Sequence, residues 1–415
     1  MEETVKGQYE AYPYPARRPD QQDALDSFGP LEELEVLNHF VWGGARDWTK
    51  PFRILVAGGG TGDASTALGK QMQERGIPGE VVYLDLSTAS RETAESRAKA
   101  IGLTNVSFHT GSLLDVASMN LGSFNYINCS GVLHHLEEPE AGSRALASVL
   151  APGGALGVMV YGELGRVGVY HAQDMLRMLC GDDALEQQVD VARKLLPTLP
   201  HSNWLVKNNE QQYRAELDDI EIVDRFLHTC DQAYRVPGCV KLMEAAGLTL
   251  TEFVPPLLYK PDCFVSDPQV MERVRGLDKI SQYAFTELFT GFISKQSFFA
   301  VRAEDDHPEP LGLKNPGAIP ELLSVRGDAL ANRIKETGKL GLSLGAVHLE
   351  QVMELTPVRE AFLRGIDGTT TLFGICETAL GHSCEAQDYA RFMGEVAPLY
   401  NMLHGTTGLV MHKPL

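Results

Sequence analysis

The fold class this sequence predicts is α/β. It comprises a mostly parallel sheet with helices on both faces, a helical cap inserted late in the sheet, and a small, mainly helical C-terminal domain. Three observations predict it. From Pro51 onward, short apolar runs alternate with amphipathic helical stretches. The alternation breaks over residues 163–230 and then resumes. An acidic, proline-bearing linker, Glu304–Pro310, then sets the tail apart.

Residues 1–50 are a Tyr/Pro-rich lead followed by a helix from Leu31 to about Phe40, entered after Gly29-Pro30. Arg53–Ala57 is a short apolar strand ending in glycines, and Ala64–Arg75 has helical character. Val81–Leu84 is a second buried strand, and Thr88–Ile101 is a charged amphipathic helix closed by Gly102. Val106–His109 and Tyr126–Asn128 are further strands. Pro139–Leu150 is a helix stopped by Pro152-Gly153-Gly154, and Ala155–Tyr161 is the next strand. Residues 163–230 are helical, acidic and irregular, as a cap would be. Helix Cys239–Ala246, strand Leu250–Val254 and a closing strand Gln296–Arg302 follow. The expected domains are a lead or lid over 1–50, a core over 51–305 that carries the cap, and a helical accessory domain over 310–415.

A chain of 415 residues is longer than one average domain and has no shortage of core. Its net charge of −19 would repel phosphate backbones and anionic lipid, so neither nucleic acid nor a membrane is an expected partner. Apolar stretches stop short of spanning length, and the start lacks the basic-then-apolar order of a secretory signal. Cys129, Cys180, Cys230, Cys239, Cys263, Cys376 and Cys384 are scattered, odd in number and never in C-x-x-C spacing. They suit idle thiols in a reducing, cytoplasmic setting, and no metal centre is expected. Assembly into a homo-oligomer is left open.

The sharpest feature is the turn after the first strand, Ile54-Leu55-Val56-Ala57-Gly58-Gly59-Gly60-Thr61-Gly62-Asp63. Glycines there let a ligand approach the backbone at the sheet's carboxyl edge. A dinucleotide needs G-x-G-x-x-G, but the third glycine falls on Asp63 or Ser65 in the two available registers. Asp63 would also compete with a pyrophosphate for the helix N-terminus. An NAD-dependent oxidoreductase is therefore disfavoured. S-adenosylmethionine carries a sulfonium and no phosphate, and suits Gly58, Gly60 and Gly62. Asp85 closes the second strand, where a carboxylate can accept ribose hydroxyls or, alternatively, cap the next helix.

With these segments the chain resembles the class I S-adenosylmethionine-dependent methyltransferases. Ile54–Gly62 is similar to their first motif and Leu84-Asp85-Leu86-Ser87 to their second. Gly111-Ser112-Leu113-Leu114-Asp115 sits where the family contacts adenine. Asn128 through Leu136 resembles the segment ending strand four, and Leu150–Gly154 the turn before strand five. The resemblance implies a seven-stranded Rossmann-like sheet. It also implies cofactor contacts from Gly58, Gly60, Thr61, Gly62, Asp85, Leu86, Ser112, Leu113 and Asn128, with Tyr9 reaching in from the lead. Two positions depart from the pattern. Val56 replaces an acidic residue that serves the cofactor's amino acid end, and Ser112 replaces one near adenine. The tail segment from Thr356-Pro357 to Thr370 faintly resembles C-terminal helical modules of bacterial methyltransferases.

Methyl transfer asks the protein to position a nucleophile, exclude water and, if needed, remove a proton. His134 and His135, after strand four, are the candidate bases, with local hydrogen bonding as the alternative role. Tyr/Pro leads like Gln8–Pro15 fold over the cofactor in some bacterial relatives, which makes Tyr14 a substrate contact. Tyr161 and Glu163 follow strand five, where such enzymes present acceptor-binding groups. The function expected is methyl transfer to an unidentified small-molecule or protein acceptor. The alternative is a catalytically degenerate cofactor-binding regulator or scaffold.

Overall fold

Helices α1 (Glu2–Ala11) and α2 (Leu34–Trp42) precede the first strand. The alternating part then runs β1 (Phe52–Ala57), α3 (Asp63–Glu74), β2 (Gly79–Asp85), α4 (Thr88–Ala100), β3 (Val106–Thr110), β4 (Phe124–Ser130), α5 (Pro139–Ser148) and β5 (Leu150–Tyr161). The cap supplies α6 (Val167–Cys180), α7 (Leu185–Leu195) and α8 (Asp219–Phe226). After α9 (Val236–Glu244), strands β6 (Leu248–Phe253) and β7 (Lys295–Arg302) complete the sheet. The computed structural model describes residues 2–18, 29–207, 218–344 and 347–414, so part of the expected lead and cap lies outside the described residues.

The seven strands lie in the order β3-β2-β1-β4-β5-β7-β6. The pairings from β3 through β5 are parallel, and β7 runs antiparallel to β5. β1 and β4 are buried at the centre of the sheet, with Ile54, Leu55, Phe124 and Ile127 at zero exposure. The entry into β5 differs from the sequence expectation. α5 stops at Ser148, and β5 already pairs at Leu150 opposite Phe124; the next pair is Tyr126 with Ala155. Pro152–Gly154 is thus extra length within β5, not a turn before it. Proline has no N–H for the ladder, and Gly153 sits at φ +68°.

By contacts the chain divides into two units. The first is Met1–Glu33, Trp48–Thr251 and Tyr259–Asp305, and it holds the sheet and the cap. The cap has its own core, in which Val169 and Leu176 of α6 meet Val189 of α7 and Ile222 and Phe226 of α8. The second unit is Leu34–Asp47, Glu252–Leu258 and Asp306–Leu415. Its helices 327–337, 357–365, 372–380 and 386–405 pack around Phe362, Leu372, Ile375, Val396 and Leu399. Thr356 caps the second of them through Arg359 N–H, with Pro357 at the first turn. The sequence did not show two antiparallel pairs in this unit, β8 (Ile319–Leu322) with β11 (Leu409–His412) and β9 (Lys339–Leu344) with β10 (Val347–Val352). Nor did it show that α2, read as part of the lead, groups with the tail. His39 Nδ1 lies 3.1 Å from the Met411 backbone and Nε2 2.8 Å from His404 Nε2.

Candidate functional site

A cleft of about 1190 Å³ opens at the carboxyl ends of β1, β2 and β4. Pockets for one drug-sized molecule run to ~300–1,000 Å³, so this one admits two reactants side by side. Gly58, Gly60, Asp85, Leu86, Ser112, Leu113, Asn128, Tyr9, Tyr14, Tyr161 and His135 all line it. Thr61, Gly62, His134 and Glu163 do not.

Each of those four has a physical reason. Thr61 is buried, its N–H and hydroxyl donating to the Tyr14 and Pro15 carbonyls at 3.2 and 2.8 Å, so it fastens the lead. Gly62, at φ +97°, starts α3 at a point where a Cβ would lie 2.7 Å from Ala94. His134 has zero exposure, and neither ring nitrogen has a hydrogen-bond partner among the described residues. Glu163 points to solvent, while Arg166, three residues on, turns inward. Even Gly60, which does line the cleft, is required by the protein itself, since a Cβ there would sit 2.6 Å from the Tyr14 carbonyl.

The floor around β1 and β2 is anionic. Asp85 accepts the Gly60 and Ser87 N–H groups at 2.8 Å each. Burial pushes its pKa up even so, because no cation among the described residues neutralises it. Glu32, reaching in ahead of α2, accepts the Asn128 amide at 2.9 Å, and burial raises its pKa as well. It lines the same floor as Val56. A carboxylate from another segment thus lines the cleft beside a first strand that carries none, which no local pattern revealed. Asp63 is different. Arg17 and Arg97 contact it at 2.9 and 2.7 Å and, against the upward push of burial, hold its pKa below the ordinary value.

The lead forms the roof. Glu10 accepts the Thr88 and Ala89 N–H groups at the start of α4 at 2.7 and 3.0 Å, where a negative charge also meets the helix dipole. Those bonds, led by the one from Thr88, keep its pKa low. With the Tyr14 and Pro15 bonds and the Arg17–Asp63 pair, these contacts fasten the lead along its length.

Beyond the glycine loop the cleft is lined from the cap. Asp224 of α8 is 4% exposed and accepts hydroxyls from Tyr9 (3.2 Å) and Tyr161 (3.3 Å). Burial lifts its pKa to about 6. His228 Nδ1 accepts the Cys230 N–H, so Nε2 carries the proton and donates toward Tyr9 Oη at 3.2 Å. His135 Nδ1 donates to the Cys230 carbonyl at 2.7 Å, which leaves Nε2 with a free lone pair. Burial lowers the pKa of His135 to about 4 and of His228 to about 3, so both rings are neutral at pH 7. Arg166 stacks 3.5 Å over the Tyr161 ring and meets Asp231 at 3.1 Å. Asp224, Arg166, Glu32 and Lys295 were not among the sequence's site residues. Each sits in a window that reads equally well as solvated charge. Among the described residues, no group of three His, Cys, Asp or Glu side chains is placed to hold a metal, and no helix is long and apolar enough to cross a membrane.

Comparison with known proteins agrees with this geometry. Residues 55–156 match the family model described as a methyltransferase domain. An uncharacterised protein of Synechococcus sp. is 31% identical over 306 residues, 72% of each chain. A ubiquinone biosynthesis O-methyltransferase of Xanthomonas axonopodis pv. citri is 30% identical over 133 residues, which cover 32% of this chain and 53% of that one. Among solved structures, PKMT2 from Rickettsia typhi superposes with a TM-score of 0.65 at 14% identity, covering 94% of this chain and 75% of that one, and so shares the fold.

Proposed function

Because the chain belongs to the class I S-adenosylmethionine-dependent methyltransferases, we propose that it methylates an oxygen or nitrogen atom of an acceptor held between cap and lead, and that Asp224 takes the acceptor's proton. The cofactor, when bound, supplies a methyl group already activated on a sulfonium. This chain's residues fit that cofactor. Asp85 and Glu32 are half-buried carboxylates without a cation among the described residues, and S-adenosylmethionine brings both a sulfonium and an ammonium. A pyrophosphate would meet carboxylates at the same floor.

The observation that carries the proposal is the Asp224 carboxylate, buried, lining the cleft and oriented by two tyrosine hydroxyls. A base works best when its pKa lies near the operating pH. Asp224 at about 6 meets that condition better than His135 at about 4. The tyrosines keep the carboxylate aimed, the Arg166–Asp231 pair braces the Tyr161 ring, and the roof of Tyr9 and Tyr14 excludes water.

The test is transfer of labelled methyl from S-adenosylmethionine to metabolite and peptide pools, followed by kinetics of Asp224→Asn on whichever acceptor is found. The variant should lose roughly 10²–10⁴ in turnover with cofactor affinity unchanged. Undiminished turnover would remove Asp224 from the chemistry. Tight cofactor binding with no transfer to any pool would favour a regulatory binder instead.

A further inference from the structure

Among the described residues around Tyr161, the ionised side chains that line the cleft are answered within the protein, with one exception. Arg166 meets Asp231 at 3.1 Å, Arg225 meets Glu221 at 2.8 Å, and Asp224 takes its two tyrosine hydroxyls. Lys295, the first residue of β7, has no hydrogen-bond or ion-pair partner among the described residues, and it lines the same cleft. Its position is fixed by the sheet. Lys295 lies directly opposite Tyr161 in the antiparallel β5–β7 register, so the two side chains rise from the same face. Its side chain is open to the cleft, where partial desolvation first, and then the like charges of Arg225 and Arg166, lower its pKa while Glu221 and Asp224 oppose them. A cation that lines the cleft with no hydrogen bond or ion pair to the protein among the described residues is open to an anionic group that enters the cleft.

We propose that Lys295 binds an anionic group, a carboxylate or a phosphate, on the methyl acceptor, and that the acceptor is therefore an acid-bearing molecule. This rests on the reading of the chamber as an acceptor site. It places the acceptor's charged end at the start of β7. The atom to be methylated then lies toward Asp224, whose tyrosine partner Tyr161 is the cross-strand neighbour of Lys295.

The experiment uses the full chain saturated with S-adenosylhomocysteine, titrated at constant ionic strength with benzoate, with inorganic phosphate and with uncharged benzamide. Wild type, Lys295→Met and Lys295→Arg are compared by calorimetry and thermal unfolding. One of the two anions should bind the wild type and Lys295→Arg, at least tenfold more weakly to Lys295→Met, while benzamide shows no such dependence. Which anion wins separates a carboxylate from a phosphate. Retention in Lys295→Arg separates an anion anchor from a proton acceptor, because arginine stays charged. Equal anion binding by wild type and Lys295→Met overturns the assignment. So does a weaker affinity of Lys295→Met for S-adenosylhomocysteine itself, which would mean the anion is the cofactor's own carboxylate. A wild type that does not bind S-adenosylhomocysteine overturns the methyltransferase reading underneath, and the proposal with it.

Discussion

Asp85 serves two functions that pull in different directions. Its oxygens hold the Gly60 and Ser87 N–H groups, which keeps the glycine turn in shape, while burial without a counter-ion keeps its charge unfavourable until a ligand arrives. Asp85→Asn preserves a carbonyl for one of those bonds and removes the charge. Hydrogen bonds to a charged group are worth on the order of 1.5–3 kcal/mol, so calorimetry should show S-adenosylmethionine binding weakened by about that much in a folded variant. Unchanged affinity would leave Asp85 as a helix-start residue only. Asp224 shows the same tension against pH. Its folded pKa of about 6 lies above the ordinary 3.8, so the native state binds the proton more tightly than the unfolded chain. Stability from this group is greatest at low pH and falls as pH rises through that interval. Asp224→Asn should therefore unfold at a higher temperature than wild type at pH 8, by on the order of 2–3 kcal/mol in stability, and the difference should shrink toward pH 4. Activity of the wild type runs the other way, falling as pH drops below about 6 because the base becomes protonated.

At the scale of elements, the lead is a strap fastened by charge at both ends of its crossing. Glu10 sits on the start of α4 and Arg17 on Asp63 at the start of α3. Both carboxyls are held below their ordinary pKa values, so the strap is fully in force above about pH 5 and loosens as pH falls through those depressed values. The partners are partly exposed, so each fastening is worth only about 1 kcal/mol. Glu10→Ala with Arg17→Ala should leave the sheet intact, seen as a melting temperature within a few degrees of wild type. Stopped-flow release of S-adenosylhomocysteine should become faster by about tenfold, and trypsin should cut the lead sooner. A release rate identical to wild type would make the lead a passive covering.

At the scale of the whole molecule, the sequence and the contacts divide the chain differently. Glu304–Pro310 reads as a boundary, and all seven strands of the main sheet lie before it, so a chain ending at Asp306 keeps the whole sheet. In the structure, α2 groups with the tail. All eight residues from Leu34 to Val41 are buried, and both His39 ring nitrogens are engaged by the tail. Each large apolar side chain left uncovered forfeits roughly 1.5–3 kcal/mol of burial. The chain 1–306 should therefore aggregate or bind a hydrophobic dye, as size-exclusion chromatography and dye fluorescence would show. A monodisperse product that melts like wild type would mean that α2 is held by the first unit after all.

What the sequence determined by itself was the architecture of the sheet and one half of the cleft. The turn Gly58–Gly62, the acid at Asp85 and the stop at Gly102 are demands that the backbone makes locally, so they appear as spacing within a few residues. Strand and helix periods are local in the same sense. Only the tertiary structure decided the other half. Asp224 in the cap, Arg166 after β5, Lys295 opening β7 and Glu32 ahead of α2 come from four separate segments, and each would pass for an ordinary solvated charge in its own stretch of sequence. The tertiary structure also placed His135 on the cleft and its neighbour His134 away from it. Asp224 and Arg166 become chemically distinctive because packing between residues far apart in the chain removes them from water, and Lys295 and Glu32 because the fold brings them to the same cleft.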